Sequence, residues 1–148
     1  MKVCVIIPVF NEQDFIKKSV ESLIDQTIKP AEVIYVNDNS TDNSKNIIKN
    51  LIGKCGWIRV IDHKSFQEHV PGSKVIEAFN FGLKNLETQF DIICKFDGDI
   101  ILPKNYIEKI IEIFNEKEKV GIAGGNLYVQ KNGKWIYENI AAKTHVRG

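Results

Sequence analysis

The apolar positions of this chain switch between two periods. Val3 to Ile7 is a continuous apolar run, as a parallel strand buried on both faces requires. Beyond it Ile16, Val20, Leu23 and Ile24 recur at helical spacing among lysines and acids, and Asn11 is placed to cap that helix. Pro30 interrupts, and Glu32 to Val36 reads as a second strand. Ile47, Ile48, Leu51 and Ile52 return to helical spacing, and Trp57 to Ile61 fits a third strand. An irregular stretch, Asp62 to Pro71, leads into a helix carrying Val75, Ile76, Phe79, Leu83 and Leu86. Asp91 to Phe96 is a fourth strand, and Pro103 suits the first turn of a helix whose apolar face is Ile107, Ile110, Ile111 and Phe114. The pattern then changes. Gly121, Gly124 and Gly125 break up a strand pattern, and Asn132-Gly133 between Tyr128-Val129 and Trp135-Ile136-Tyr137 signals a β-hairpin.

Strand–helix units in series imply an α/β fold: an open, mostly parallel, Rossmann-like twisted sheet flanked by helices, here with a C-terminal β-hairpin. In such sheets ligands lie beyond the carboxyl ends of the strands. The polar clusters beginning at Pro8, Asn37 and Asp97 are each expected directly after a strand, and so along one edge.

Composition narrows the classes. A chain of 148 residues with 43% hydrophobic and 26% charged residues fits one compact domain with a real core. Its net charge of +1 gives no field for nucleic acid or an anionic membrane. Cys4, Cys55 and Cys94 have no pairing logic, and Cys4 and Cys94 lie in apolar runs, where a thiol behaves as a small hydrophobe. No apolar stretch reaches the roughly 20 residues that cross a bilayer, and no signal peptide is expected, so the chain reads as cytoplasmic.

The acids after the fourth strand carry the sharpest chemistry. Asp97 and Asp99, separated by Gly98, can turn toward one ligand. Carboxylate oxygens are hard donors that suit Mg2+ or Mn2+, ions that complete their shells with water and substrate phosphates. An ordinary Asp-Gly turn is the plainer reading, weakened because Ile100 to Pro103 leads into a helix and not a hairpin partner. In the second cluster, Ser40 or Thr41 is expected to cap the following helix, with Asp42 favouring its N-terminus. Asp38 precedes the cap and is free to face the sheet edge, where it can accept hydrogen bonds from a nucleobase or ribose. Glu12 either complements the first helix dipole or contacts a nucleotide; both readings stand. Lys74, at a helix start after Pro71-Gly72-Ser73, can approach phosphate, although by position alone a solvated lysine is simpler. His63, His69 and His145 offer no metal pair, and solvent-facing or local hydrogen-bonding roles suit them better.

At this point four segments in order resemble the motifs of family-2 glycosyltransferases. They are Val5-Ile6-Ile7-Pro8-Val9-Phe10-Asn11-Glu12, Val36-Asn37-Asp38-Asn39-Ser40-Thr41-Asp42, Lys74-Val75-Ile76-Glu77-Ala78-Phe79-Asn80-Phe81-Gly82, and Phe96-Asp97-Gly98-Asp99. The resemblance implies the GT-A fold, a nucleotide-sugar donor, usually UDP-linked, and inversion at the anomeric centre. It also implies roles. The Pro8-Val9 segment and Asp38 face the nucleobase, with Glu12 nearby. Asp97 contacts the ribose or metal region, Asp99 is the direct ligand of Mn2+ or Mg2+, and Lys74 supports donor binding. The acceptor is then a glycan, lipid or polysaccharide.

One family feature is missing. The aspartate that serves as general base normally follows the donor half, and Glu138 is a weak substitute. The expectation is a donor-binding domain over residues 1–148, truncated before the acceptor half, with its base beyond Gly148 and any peripheral membrane association supplied by missing residues. A sugar-nucleotide pyrophosphorylase would need a Gly-rich basic loop after the first strand, which Pro8 to Glu12 is not. A receiver-like domain would place its acids after the first and third strands. An inert nucleotide- or metal-binding remnant is the third alternative.

Overall fold

The computed structural model describes residues 1–53, 55–65, 73–117 and 119–138. The chain forms two compact units, Met1–Glu108 and Lys109–Gly148. The first is built on strands β1 (Val3–Val9), β2 (Glu32–Asp38), β3 (Ile58–His63) and β4 (Ile92–Lys95). They form one all-parallel sheet in the order β3-β2-β1-β4. Helices α1 (Ile16–Ile24), α2 (Ser44–Ile52) and α3 (Ser73–Lys84) make the crossovers, and α4 (Tyr106–Glu116) follows β4.

The strand order fixes where each helix goes. From β1 to β3 the chain steps one way, so right-handed crossovers put α1 and α2 on one face, where they touch each other. The return to β4 reverses the step and sends α3 to the opposite face. Side-chain alternation then sorts the core. Ile6, Ile34 and Val36 pack with Ala78 of α3. Gly82 seats that helix closely: a Cβ there would stand 2.6 Å from Ile6 Cγ2 and 2.9 Å from Val36 Cγ2.

Several local expectations are corrected. Asn11 does not cap α1. Phe15 occupies that position, while Asn11 takes a left-handed φ of 54° and turns its side chain to another loop. Neither Ser40 nor Thr41 caps α2, which begins at Ser44, two residues after Asp42 accepts the Ser44 amide on Oδ1 at 3.0 Å. β2 continues through Asn37 and Asp38 because its pairing with β3 runs on to His63. Pro8 likewise lies inside β1. Ile6 bonds toward β4 through Phe96 N–H, so Pro8, two residues on, points its amide position past the end of that ladder and loses no bond. On α3 the buried positions are Ala78 and Gly82, whereas Val75 and Ile76 are 41% and 61% exposed. Only small residues allow the close approach that Gly82 marks.

Cys4 is fully buried, and burial raises its thiol pKa; burial, then the neighbouring Cys4, pushes the Cys94 thiol up to about 12. Both behave as core residues. In the second unit, residues 121–127 form no strand. Strands β5 (Tyr128–Lys131) and β6 (Lys134–Tyr137) pair antiparallel across Asn132 and Gly133, whose φ values of 50° and 74° give the expected two-residue hairpin turn.

Candidate functional site

In the order β3-β2-β1-β4 the direction of the chain reverses between β1 and β4. Open α/β sheets bind ligands outside the carboxyl ends of the strands at such a reversal. Two segments flank it: Pro8 to Glu12 leaving β1, and Phe96 to Asp99 leaving β4. They meet. Gly98 is buried, and a Cβ on it would lie 3.1 Å from Glu12 Cγ and 3.5 Å from Ile16 Cδ1. The glycine lets the two segments close up while Asp97 and Asp99 stay exposed on either side.

The electrostatics follow from that contact. The Glu12 carboxyl is held above the usual glutamate value, first by burial and then by the charges of Asp99, Asp42 and Asp97. Negative charge is therefore concentrated here, partly balanced by Lys95, whose Nζ lies 2.7 Å from Asp97 Oδ1. Glu12 does not sit in the first turn of α1. Its backbone carbonyl instead accepts from the Phe15 and Ile16 amides, and its side chain belongs to the acidic group.

Among the described residues, no three His, Cys, Asp or Glu side chains form a ready cage for a metal. A cage is not required for Mg2+ or Mn2+, which one or two carboxylates hold together with phosphate and water. Asp97 and Asp99, both exposed beside Glu12, have the donor chemistry that such an ion needs.

Asp38 is hydrogen-bonded within the protein through one oxygen. It is 6% exposed at the end of β2, and its Oδ1 accepts the Ser65 amide at 2.9 Å. Asn39 Nδ2 and His63 Nδ1 approach the same oxygen at 3.3 Å. The strand pairing that lengthens β2 is what carries Asp38 into this enclosure. Of the β1 residues, Val9 is packed in the core and Pro8 is half-buried, while Phe10 is 60% exposed. Lys74 is half-buried in the first turn of α3 and makes no ion pair among the described residues. His69 and His145 lie outside the described residues.

Three residues take roles that the sequence did not disclose. Asn11 accepts the amides of Thr41 at 2.8 Å and Asp42 at 3.3 Å, tying the loop after β1 to the loop after β2. Gln26, 1% exposed, donates to Pro103 O and accepts the Ile107 amide, holding the chain that follows Asp99. His63 reaches Asp38. Asn11 and His63 had a usable signal, as polar residues near strand ends, and Gln26 had none.

An all-parallel sheet with carboxylates gathered at its reversal point is the GT-A arrangement of a nucleotide-sugar transferase. The chain belongs to glycosyl transferase family 2, whose model matches residues 4–146. It is 31% identical over 127 residues to the glycosyltransferase GlyA of Streptococcus pneumoniae, covering 86% of this chain and 17% of that one. It is 28% identical over 134 residues to a GalNAc(5)-diNAcBac-PP-undecaprenol beta-1,3-glucosyltransferase of Campylobacter jejuni, covering 89% and 40%. Among solved structures, residues 1–349 of S. aureus TarS in complex with UDP-GlcNAc match with a TM-score of 0.63 at 26% identity, over 78% of this chain and 32% of that one. The chain thus spans well under half the length of these relatives. No helix among the described residues is long and apolar enough to cross a membrane.

Proposed function

We propose that residues 1–148 are the donor-binding part of an inverting glycosyltransferase that takes a nucleotide-diphosphate sugar, UDP-linked, together with Mn2+ or Mg2+. The acceptor is a glycan, lipid or polysaccharide. The observation that carries this reading is the approach of Glu12 to Gly98, which concentrates Glu12, Asp97 and Asp99 at the reversal point of the sheet. The UDP-GlcNAc held by TarS and the lipid-linked acceptor in the name of the Campylobacter relative support the substrate classes.

In this reading Asp99 and Asp97 hold the cation. When bound, the cation supplies Lewis-acid neutralisation of the diphosphate leaving group, an effect of several kcal/mol. The protein's own residues do the positioning. Pro8 and Val9 form the strand end against which the base lies, and Asp38 accepts a hydrogen bond from it. Glu12 borders the ribose side of the site, and Lys74 supports the donor's negative charge.

The test is a UDP titration of the purified chain with and without Mn2+, in wild type and Asp99→Ala. The expected result is about a ten-fold gain in UDP affinity with Mn2+ in the wild type, or about 1.4 kcal/mol, and little gain in the variant. UDP affinity that ignores both the metal and the substitution would overturn the cation bridge.

A further inference from the structure

Three donors from different parts of the chain converge on the Asp38 carboxylate. The Ser65 amide reaches Oδ1 at 2.9 Å, and Asn39 Nδ2 and His63 Nδ1 reach the same oxygen at 3.3 Å. A carboxylate only accepts, so the His63 ring carries its proton on Nδ1. The arrangement is braced on every side. Asp38 and His63 face each other in register across β2 and β3. Asn39 sits at a φ of 58°, and its amide also donates to Ser65 O and Oγ at 3.3 Å. The His63 ring lies against Phe81, with centroids 4.6 Å apart, and the adjacent Gly82 fixes α3 on the sheet.

The second oxygen is different. Asp38 Oδ2 takes no hydrogen bond among the described residues. Nor is it among the side-chain atoms sealed inside without a partner, which among the described residues are Tyr35 Oη and Asn37 Oδ1. One oxygen has only two lone pairs, so three donors leave Oδ1 with nothing to offer a ligand. The carboxylate therefore presents one acceptor at the carboxyl edge of the sheet.

We propose that the clamp of Asn39, His63 and Ser65 on Asp38 selects the nucleobase. A single available oxygen suits a base with one N–H on its recognition edge, as uracil has at N3. Guanine presents adjacent N1–H and N2–H donors that call for both oxygens, and one of them would be left unpaired. An unpaired buried donor weakens binding by about ten-fold or more. The inference rests on the proposed donor-binding role of this edge, and it assigns Asn39, His63 and Ser65 as positioning residues acting through Asp38.

The experiment titrates the full 148-residue chain with UDP and with GDP, both in Mn2+. Wild type is expected to bind UDP about ten-fold or more tightly than GDP. Asn39→Gly keeps the positive φ and removes one donor; His63→Leu removes another. The double variant is expected to bring the two nucleotides within about three-fold, mainly by gaining GDP affinity. His63→Gln, which restores an N–H donor, is expected to keep the wild-type ratio, an outcome that mere loss of structure would not give. Thermal melting checks each variant's fold, and the single variants decide the matter if the double one does not fold. Equal wild-type affinities, or a variant ratio that does not move, would overturn the selector. If neither nucleotide binds wild type, the donor-binding reading falls with it; metal-dependent UDP binding without discrimination sinks the selector alone.

Discussion

Asn11 shows how one side chain joins two parts of a site. Its backbone takes a φ of 54°, its own amide donates to Ser40 Oγ at 3.1 Å, and its Oδ1 accepts from Thr41 and Asp42. The flanking residues repeat the link: Glu12 N–H donates to Ser44 Oγ at 2.8 Å, and Gln13 N–H to Asp42 Oδ2 at 3.0 Å. Asn11→Ala removes the acceptor and leaves a β-carbon in left-handed backbone, together about 2 kcal/mol. Urea denaturation should show that loss, and Asn11→Gly should recover the backbone share only. A change in Asn11→Ala smaller than about 0.5 kcal/mol would mean that the latch carries no stability. The position stands out as polar in the sequence, but its partners do not. A cap would be local, whereas Thr41 is 30 residues away. By contrast the Asp97-Gly98-Asp99 pattern was legible because both acids and the intervening glycine are consecutive.

At the level of elements, the segment after β4 is held by the last turn of α1 and the residues just beyond it. Gln26 Nε2 donates to Pro103 O at 2.7 Å and to Ser22 O at 3.0 Å, while its Oε1 accepts the Ile107 amide at 3.0 Å. That amide belongs to the first turn of α4 and has no partner within the helix. Leu102 N–H to Ser22 Oγ and Thr27 N–H to Lys104 O complete the seam. Gln26→Ala strands a buried donor and is expected to cost about 2 kcal/mol. Hydrogen exchange gives the specific readout: the Ile107 amide should exchange faster, and unchanged protection there would refute the cap. Helical periodicity found both helices. It cannot show that a glutamine just past the end of one caps the other, because the pairing spans 81 residues.

Across the whole molecule, the end of the sheet away from the site is pinned by a second carboxylate. Glu32 Oε1 accepts from Arg59 Nε at 3.0 Å and from a guanidinium terminus at 2.8 Å, and Oε2 accepts the Glu87 and Thr88 amides at 3.0 and 2.8 Å. Burial by itself would raise this carboxyl, but the guanidinium and the two amides outweigh it and hold it below the ordinary value of 4.5. The sign follows: a depressed folded value contributes stability above pH 4.5 that is lost as pH falls through the folded value. Melting temperatures measured from pH 7 downward should therefore hold to about pH 4.5 and then drop. Glu32→Gln is expected to be less stable at neutral pH by about 1–2 kcal/mol, since it removes the buried one of the two carboxylates that Arg59 pairs with, Glu87 at 3.5 Å being the other, and to show a shallower acid decline. An acid profile identical to wild type would remove Glu32 from the account.

Periodicity along the chain was enough to establish four strands, their helices, a parallel α/β sheet and the terminal hairpin, because strand and helix spacing are local properties of hydrophobic burial. It also brought Pro8, Asp38 and Asp97 to one edge, since parallel strands all end on the same side. Tertiary structure alone decided which of these groups touch. The 3-2-1-4 strand order set Glu12 against Gly98, strand pairing enclosed Asp38, and α3 turned Ala78 and Gly82 inward in place of Val75 and Ile76. Those outcomes depend on close packing between segments far apart in the chain, and such contacts leave no period for a linear reading to detect.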